Sequence, residues 1–121
     1  MNRENKKCKD LVHEKFEKTM KYLKELLEAE NNETEDLGSL QDYGLDISLI
    51  EAGTFEGQRA DYICYQLSWG GPSDEFRIFK NGDIEYWYMD WFDGAKIDVV
   101  DEKEADIIKE IVLPFFDDFL V

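Results

Sequence analysis

The chain predicts an α+β fold: an N-terminal amphipathic helix, an antiparallel meander of four or five strands and a C-terminal helix, in two layers. Apolar residues recur at three- and four-residue steps near the N-terminus, two-residue alternation broken by glycine-containing turns fills the middle, and a capping signal opens a second helical period near the end. At 121 residues the chain is expected to form one domain over 1–121, large enough to fold without a metal or a disulfide.

The first helix is expected over about Asn5 to Glu30, with Val12, Phe16, Met20, Leu23 and Leu27 forming the buried stripe and Leu11 and Leu26 widening it. Glu14–Lys18 and Glu17–Lys21 stand at i,i+4 in the favourable order on the solvated side. Asn31 to Asp42 is polar and reads as a loop, or a loop with one short turn of helix. Leu45, Ile47 and Leu49 alternate with polar residues in a first strand, and Gly53 to Arg59 supplies a turn. Ile63, Tyr65, Leu67 and Trp69 then alternate in a second strand. Gly70 to Asp74 reads as a tight connection in which Pro72 ends ladder pairing.

From Glu75 to Val100 three consecutive antiparallel strands are predicted. Asn81-Gly82 signals a two-residue hairpin loop, pairing Ile78 with Glu85, Arg77 with Tyr86 and Phe76 with Trp87. For the next hairpin a two-residue Asp93-Gly94 loop would set Trp91 opposite Lys96. A three-residue loop, Phe92-Asp93-Gly94, sets Trp91 opposite Ala95, Met89 opposite Ile97 and Asp90 opposite Lys96, and is preferred because it keeps the apolar set on one face. The expected core face then carries Phe76, Ile78, Trp87, Met89, Trp91, Ala95, Ile97 and Val99. The opposite face carries Glu75, Arg77, Phe79, Ile84, Tyr86, Tyr88, Asp90, Lys96 and Asp98. Asp101 reads as the N-cap of the last helix, with Glu104 completing a capping box. Ile107 to Phe119 follow at helical spacing, and Pro114 is expected to kink the helix or split off its last turn.

Charge narrows the classes of partner. The net charge is −15, yet residues 1–30 carry eight Lys/Arg against seven Asp/Glu, while the other 91 carry six against 22. Phosphate backbones require clustered cations, so direct nucleic-acid binding is not expected, whereas a basic protein partner is favoured electrostatically. The apolar runs are too short for a membrane span, no secretory signal is evident, and the separated Cys8 and Cys64 fit reduced thiols in a cytoplasmic protein. His13, the one histidine, reads as a surface residue, and two scattered cysteines make no zinc site. Asp90, Asp93 and Asp98 lack the spacing of a calcium loop, and Gly70-Gly71 belongs to no phosphate-binding motif. No cofactor, metal or catalytic residue is expected, and the reading is that of a non-enzymatic protein.

The segments LSWGGPSDEF (Leu67–Phe76) and YMDWFDG (Tyr88–Gly94) resemble a pattern in small, uncharacterised acidic proteins of phages, plasmids and related mobile elements. The resemblance implies a host-takeover or defence-evasion setting and brings no catalytic residues. The expected contact surface is Glu75, Tyr86, Tyr88, Asp90 and Asp98, with Asp83, Glu85 and Asp93 at its margins. The chain thus reads as an acidic binding domain masking a basic nucleic-acid-binding or defence protein. The alternatives are an accessory or immunity-like structural domain that self-associates through its sheet, and an enzyme using a carboxylate pair. The oligomeric state stays open.

Overall fold

The computed structural model describes residues 7–91 and 93–116; the expectations placed on Asn5, Phe92 and Phe119 lie outside them. Helix α1 (Cys8–Glu28) buries the predicted stripe of Val12, Phe16, Met20 and Leu23, joined by Cys8, Thr19 and Leu26, and leaves His13 exposed. A 3-10 turn, Glu30–Asn32, follows it with Asn31 and Asn32 at φ 58° and 53°, a left-handed geometry that asparagine tolerates. Within the predicted polar loop, β1 (Glu33–Thr34) and β2 (Gly38–Ser39) pair as a small ribbon leading into the one-turn helix α2 (Leu40–Tyr43). Ser39 Oγ caps α2 by accepting from the Asp42 N–H at 3.2 Å.

The main sheet is an antiparallel meander of β3 (Asp46–Ile50), β4 (Tyr62–Ser68), β5 (Pro72–Phe79), β6 (Ile84–Asp90) and β7 (Asp93–Asp98), each beside the next. Helix α3 (Glu102–Val112) follows, with the Asp101 carboxylate accepting from the Glu104 N–H at 3.0 Å. Pro114 splits off the short 3-10 turn Leu113–Phe115, since its ring removes the N–H that would continue the α-helix. Pro72, expected to end pairing, instead opens β5 opposite Asp90; the first position of a strand can do without a ladder donor.

Both later hairpins close differently from expectation. After β5, Phe79 and Asp83 flank a three-residue loop, with the Phe79 N–H donating to the Asp83 carbonyl at 2.8 Å and Gly82 at φ 96°. Only Gly82, not Asn81, takes the left-handed conformation, so the loop is a turn followed by a bulge glycine and not a type I′ turn. This moves the register by one residue: Phe76 faces Tyr86, Arg77 faces Glu85 and Glu75 faces Trp87. In the β6–β7 hairpin Asp90 pairs with Asp93 and Met89 with Gly94, not Trp91 with Ala95 and Met89 with Ile97. Trp87 therefore lies opposite Lys96, and Asp90 does not.

A one-residue shift turns β6 over. Ile84, Tyr86 and Tyr88 join Phe76 and Ile78 in the core beneath the helices, where Phe16 of α1 meets the Phe76 and Tyr86 rings at 6.4 and 5.5 Å. Ile108, Ile111 and Val112 of α3 complete that core. Trp87 and Met89 go to the helix-free side, and Trp91 stands in the turn 84% exposed. Trp69, expected inside a strand, is 77% exposed beyond the end of β4. The helices thus pack on the Phe76/Tyr86/Tyr88 face, not on Trp87, Met89 and Trp91. The placements of Phe76, Ile78, Ala95 and Ile97 on the helix side follow the expected pattern.

Candidate functional site

The eight residues expected to form the contact surface are dispersed by this register. Tyr86 and Tyr88 are buried under α1 and are removed from any surface. The Tyr86 hydroxyl donates to Asp74 Oδ2 at 2.6 Å; burial, then that hydrogen bond, pushes its pKa far up. Ser68 Oγ donates to the other Asp74 oxygen. Asp90 and Asp93 stand at the β6–β7 turn, where Asp93 Oδ2 accepts from the Cys8 N–H at 2.7 Å and ties the start of α1 to the sheet. Burial and the neighbouring Asp93 and Asp90 carboxylates raise the Cys8 thiol.

Glu75, Glu85 and Asp98 do share the helix-free face, but they are bound into a chain of side chains. Arg77 Nε donates to Glu75 at 2.7 Å while its guanidinium lies 5.2 Å from the Tyr62 ring centre and 4.2 Å from that of Trp87. Trp87 Nε1 donates to Glu85 at 2.8 Å, and Lys96 Nζ bridges Glu85 at 2.9 Å and Asp98 at 3.3 Å. Such a layer covers Tyr62, Cys64 and Glu75, which are buried although, among the described residues, no helix packs on this face. Burial first, and then Glu75, pushes the Cys64 thiol up to about 12. This face satisfies its own charges and offers little unpaired acid. Asp83, Glu85 and Asp98 also line a cleft of about 630 Å³ beside the β5–β6 turn, together with Phe79, Lys80 and Val100.

A second cleft, about 620 Å³, opens between the β1–β2 ribbon, α2, the edge strand β3 and the end of α3. Leu40, Leu45, Ile47, Tyr65, Ile111 and Phe115 give it an apolar wall, and Glu33 and Asp46 stand at its rim. Gly44 is shaped by this wall: a Cβ there would overlap Tyr65 Cε1 well inside van der Waals contact, so a larger residue would force the buried ring to move. Burial pushes the Tyr65 hydroxyl, like that of Tyr43 nearby, up to about 12. Between Lys24 and Arg59 the sequence holds ten acids (Glu25, Glu28, Glu30, Glu33, Glu35, Asp36, Asp42, Asp46, Glu51, Glu56) and no lysine or arginine. Every one of the ten is exposed. Among the described residues the ion pairs are those of Arg77 and Lys96 on the outer sheet face, so none of the ten is paired.

The residues of this cleft lie outside the Glu75–Val100 stretch expected to carry the contact surface. The cleft's signal was present in the cation-free run from Glu25 to Gln58; what could not be read is that Ile111 and Phe115, remote in sequence, supply the opposite wall. Among the described residues no three His, Cys, Asp or Glu side chains gather as metal ligands would, and no helix is long and apolar enough to cross a membrane. No family model, curated protein or solved structure matches the chain.

Proposed function

We propose that this chain is a non-enzymatic acidic binding domain that takes a basic segment of a partner protein, masking a nucleic-acid-binding or defence protein. The observation that carries this reading is the β3-side cleft, an apolar wall with the exposed carboxylates of Glu33 and Asp46 in its lining, built largely from a stretch of chain that holds ten exposed acids and no lysine or arginine. A cationic side chain needs both parts: its aliphatic stem is covered by the wall, and its head meets carboxylates at the rim. Charge of one sign around a concave surface also raises the local concentration of oppositely charged partners.

The test is titration of the domain with a lysine-rich peptide bearing apolar residues, across a salt series. Affinity is expected to fall steeply as the Debye length shortens from about 10 Å at 0.1 M to about 3 Å at 1 M. Glu33→Lys with Asp46→Lys should weaken binding at least about tenfold, whereas Asp98→Lys on the self-paired outer face should change it little. Affinity that stays constant through the salt series, or that responds to Asp98 and not to Glu33 and Asp46, would overturn the reading.

A further inference from the structure

We infer that the partner segment binds in extended form, adding as a further antiparallel or parallel strand along β3; this rests on the basic-partner reading above. β3 ends the strand order β3-β4-β5-β6-β7, and among the described residues no strand pairs with its other side. An edge strand presents alternate N–H and C=O groups outward, ready to pair with another chain. Proteins usually blunt such edges with lysine, proline or a bulge, and the sequence Asp-Ile-Ser-Leu-Ile of β3 has none of these. The other edge, β7, carries Lys96 and is flanked by α1.

The side chains along this edge are unfinished in the same sense. Leu45 and Leu49 are 60% and 41% exposed, and Ile47 between them is part of the cleft wall. A strand laid beside β3 would set alternate apolar side chains along that row and toward Phe115, with the intervening residues on the side of Asp46. The occupant that fits is therefore a segment alternating apolar residues with lysine or arginine. A second copy of this chain fits poorly, since pairing two β3 edges would bring the exposed Asp46 of each copy, and two chains of net charge −15, together.

The probe is a peptide of alternating lysine and valine, about ten residues long, and two forms of it N-methylated at alternate residues in either register. Backbone pairing predicts slowed exchange, on binding, of those amides within Asp46–Ile50 that do not already pair with β4. One N-methylated form should bind at least about tenfold more weakly while the other is tolerated, as expected when two or more ladder bonds of about 1 kcal/mol each are lost. Leu49→Glu separates the apolar row from charge alone: strand addition predicts weaker binding, whereas charge attraction predicts tighter binding. Salt-sensitive binding with no protection of β3 and equal affinity of both N-methylated forms would sink strand addition and leave the function reading standing. No binding of any basic peptide at low salt would sink both. Protection, before peptide is added, of the β3 amides that do not pair with β4 would also overturn the proposal, assigning the edge to a second copy if it grows with protein concentration and to another segment of this chain if it does not.

Discussion

The Asp93 carboxylate accepts a hydrogen bond from the backbone N–H of Cys8 at 2.7 Å, joining residues 85 apart in the chain. It fixes the first turn of α1 to the β6–β7 hairpin, where an anion suits the unpaired N–H groups of a helix start.

That bond is the first cause holding the Asp93 carboxyl below its ordinary value of 3.8. A carboxylate whose pKa is lower folded than unfolded stabilises the fold above the unfolded pKa, and the contribution is lost as pH falls through the folded one. Asp93→Ala should therefore lower the urea midpoint at neutral pH, and the two stability curves should converge as pH falls below about 4. A gap that is unchanged in acid would show that the carboxylate's charge is not involved.

Tyr86→Phe removes the hydroxyl that donates to Asp74 inside the core. Asp74 keeps only the Ser68 donor, so the loss should be about 1–3 kcal/mol in denaturant unfolding. Ser68→Ala, at an exposed position, should cost less.

Tyr43 and Tyr65 are raised from 10 to about 12 by burial. Their contribution is present below the unfolded value near 10 and is lost as pH rises toward the folded value. Between those limits an absorbance titration should show less phenolate in the native protein than in urea, with a cooperative rise at alkaline unfolding. Coincident native and urea titrations would contradict the buried placement.

Trp91 holds φ 56° in the β6–β7 turn while 84% exposed. A bulky side chain in the left-handed region is strained by roughly 1–2 kcal/mol, and little burial is forfeited by removing this one. Trp91→Gly or Trp91→Asn should raise stability by about 1 kcal/mol, with loss of a red-shifted, quencher-accessible fluorescence component. Destabilisation would mean that the indole makes contacts beyond those described.

Cys8 and Cys64 are both buried with raised thiol pKa values. Neither should react with a disulfide reagent at mildly alkaline pH until the protein unfolds, whereupon both should.

Periodicity made the elements legible: the stripe of α1, the Asp101 cap, the Pro114 break and the meander all appear where residue spacing places them. The register of β6 was not legible, because it hung on whether Lys80-Asn81-Gly82 closes with two loop residues or three. Asn-Gly is compatible with either, and the choice is made by burial of Tyr86 against Phe16 and Phe76. The tyrosines thereby left the expected contact surface while Trp87 and Met89 joined it. The β3-side cleft was illegible for a different reason: its walls come from α2, β3, β4 and the end of α3, which no local pattern relates.

The Cys8–Asp93 link also bears on the order in which the chain is made. α1 is made before the sheet, yet the surface that covers its apolar stripe includes β6 and β7, and its anchor is Asp93. The chain from α1 through Asp93 must be synthesised before that anchor can form. The β3–β7 hairpins, each beside its sequence neighbour, can form in sequence as they emerge. Although α1 precedes the sheet in the chain, it docks after the strands, and its stripe waits uncovered until the β6–β7 hairpin arrives.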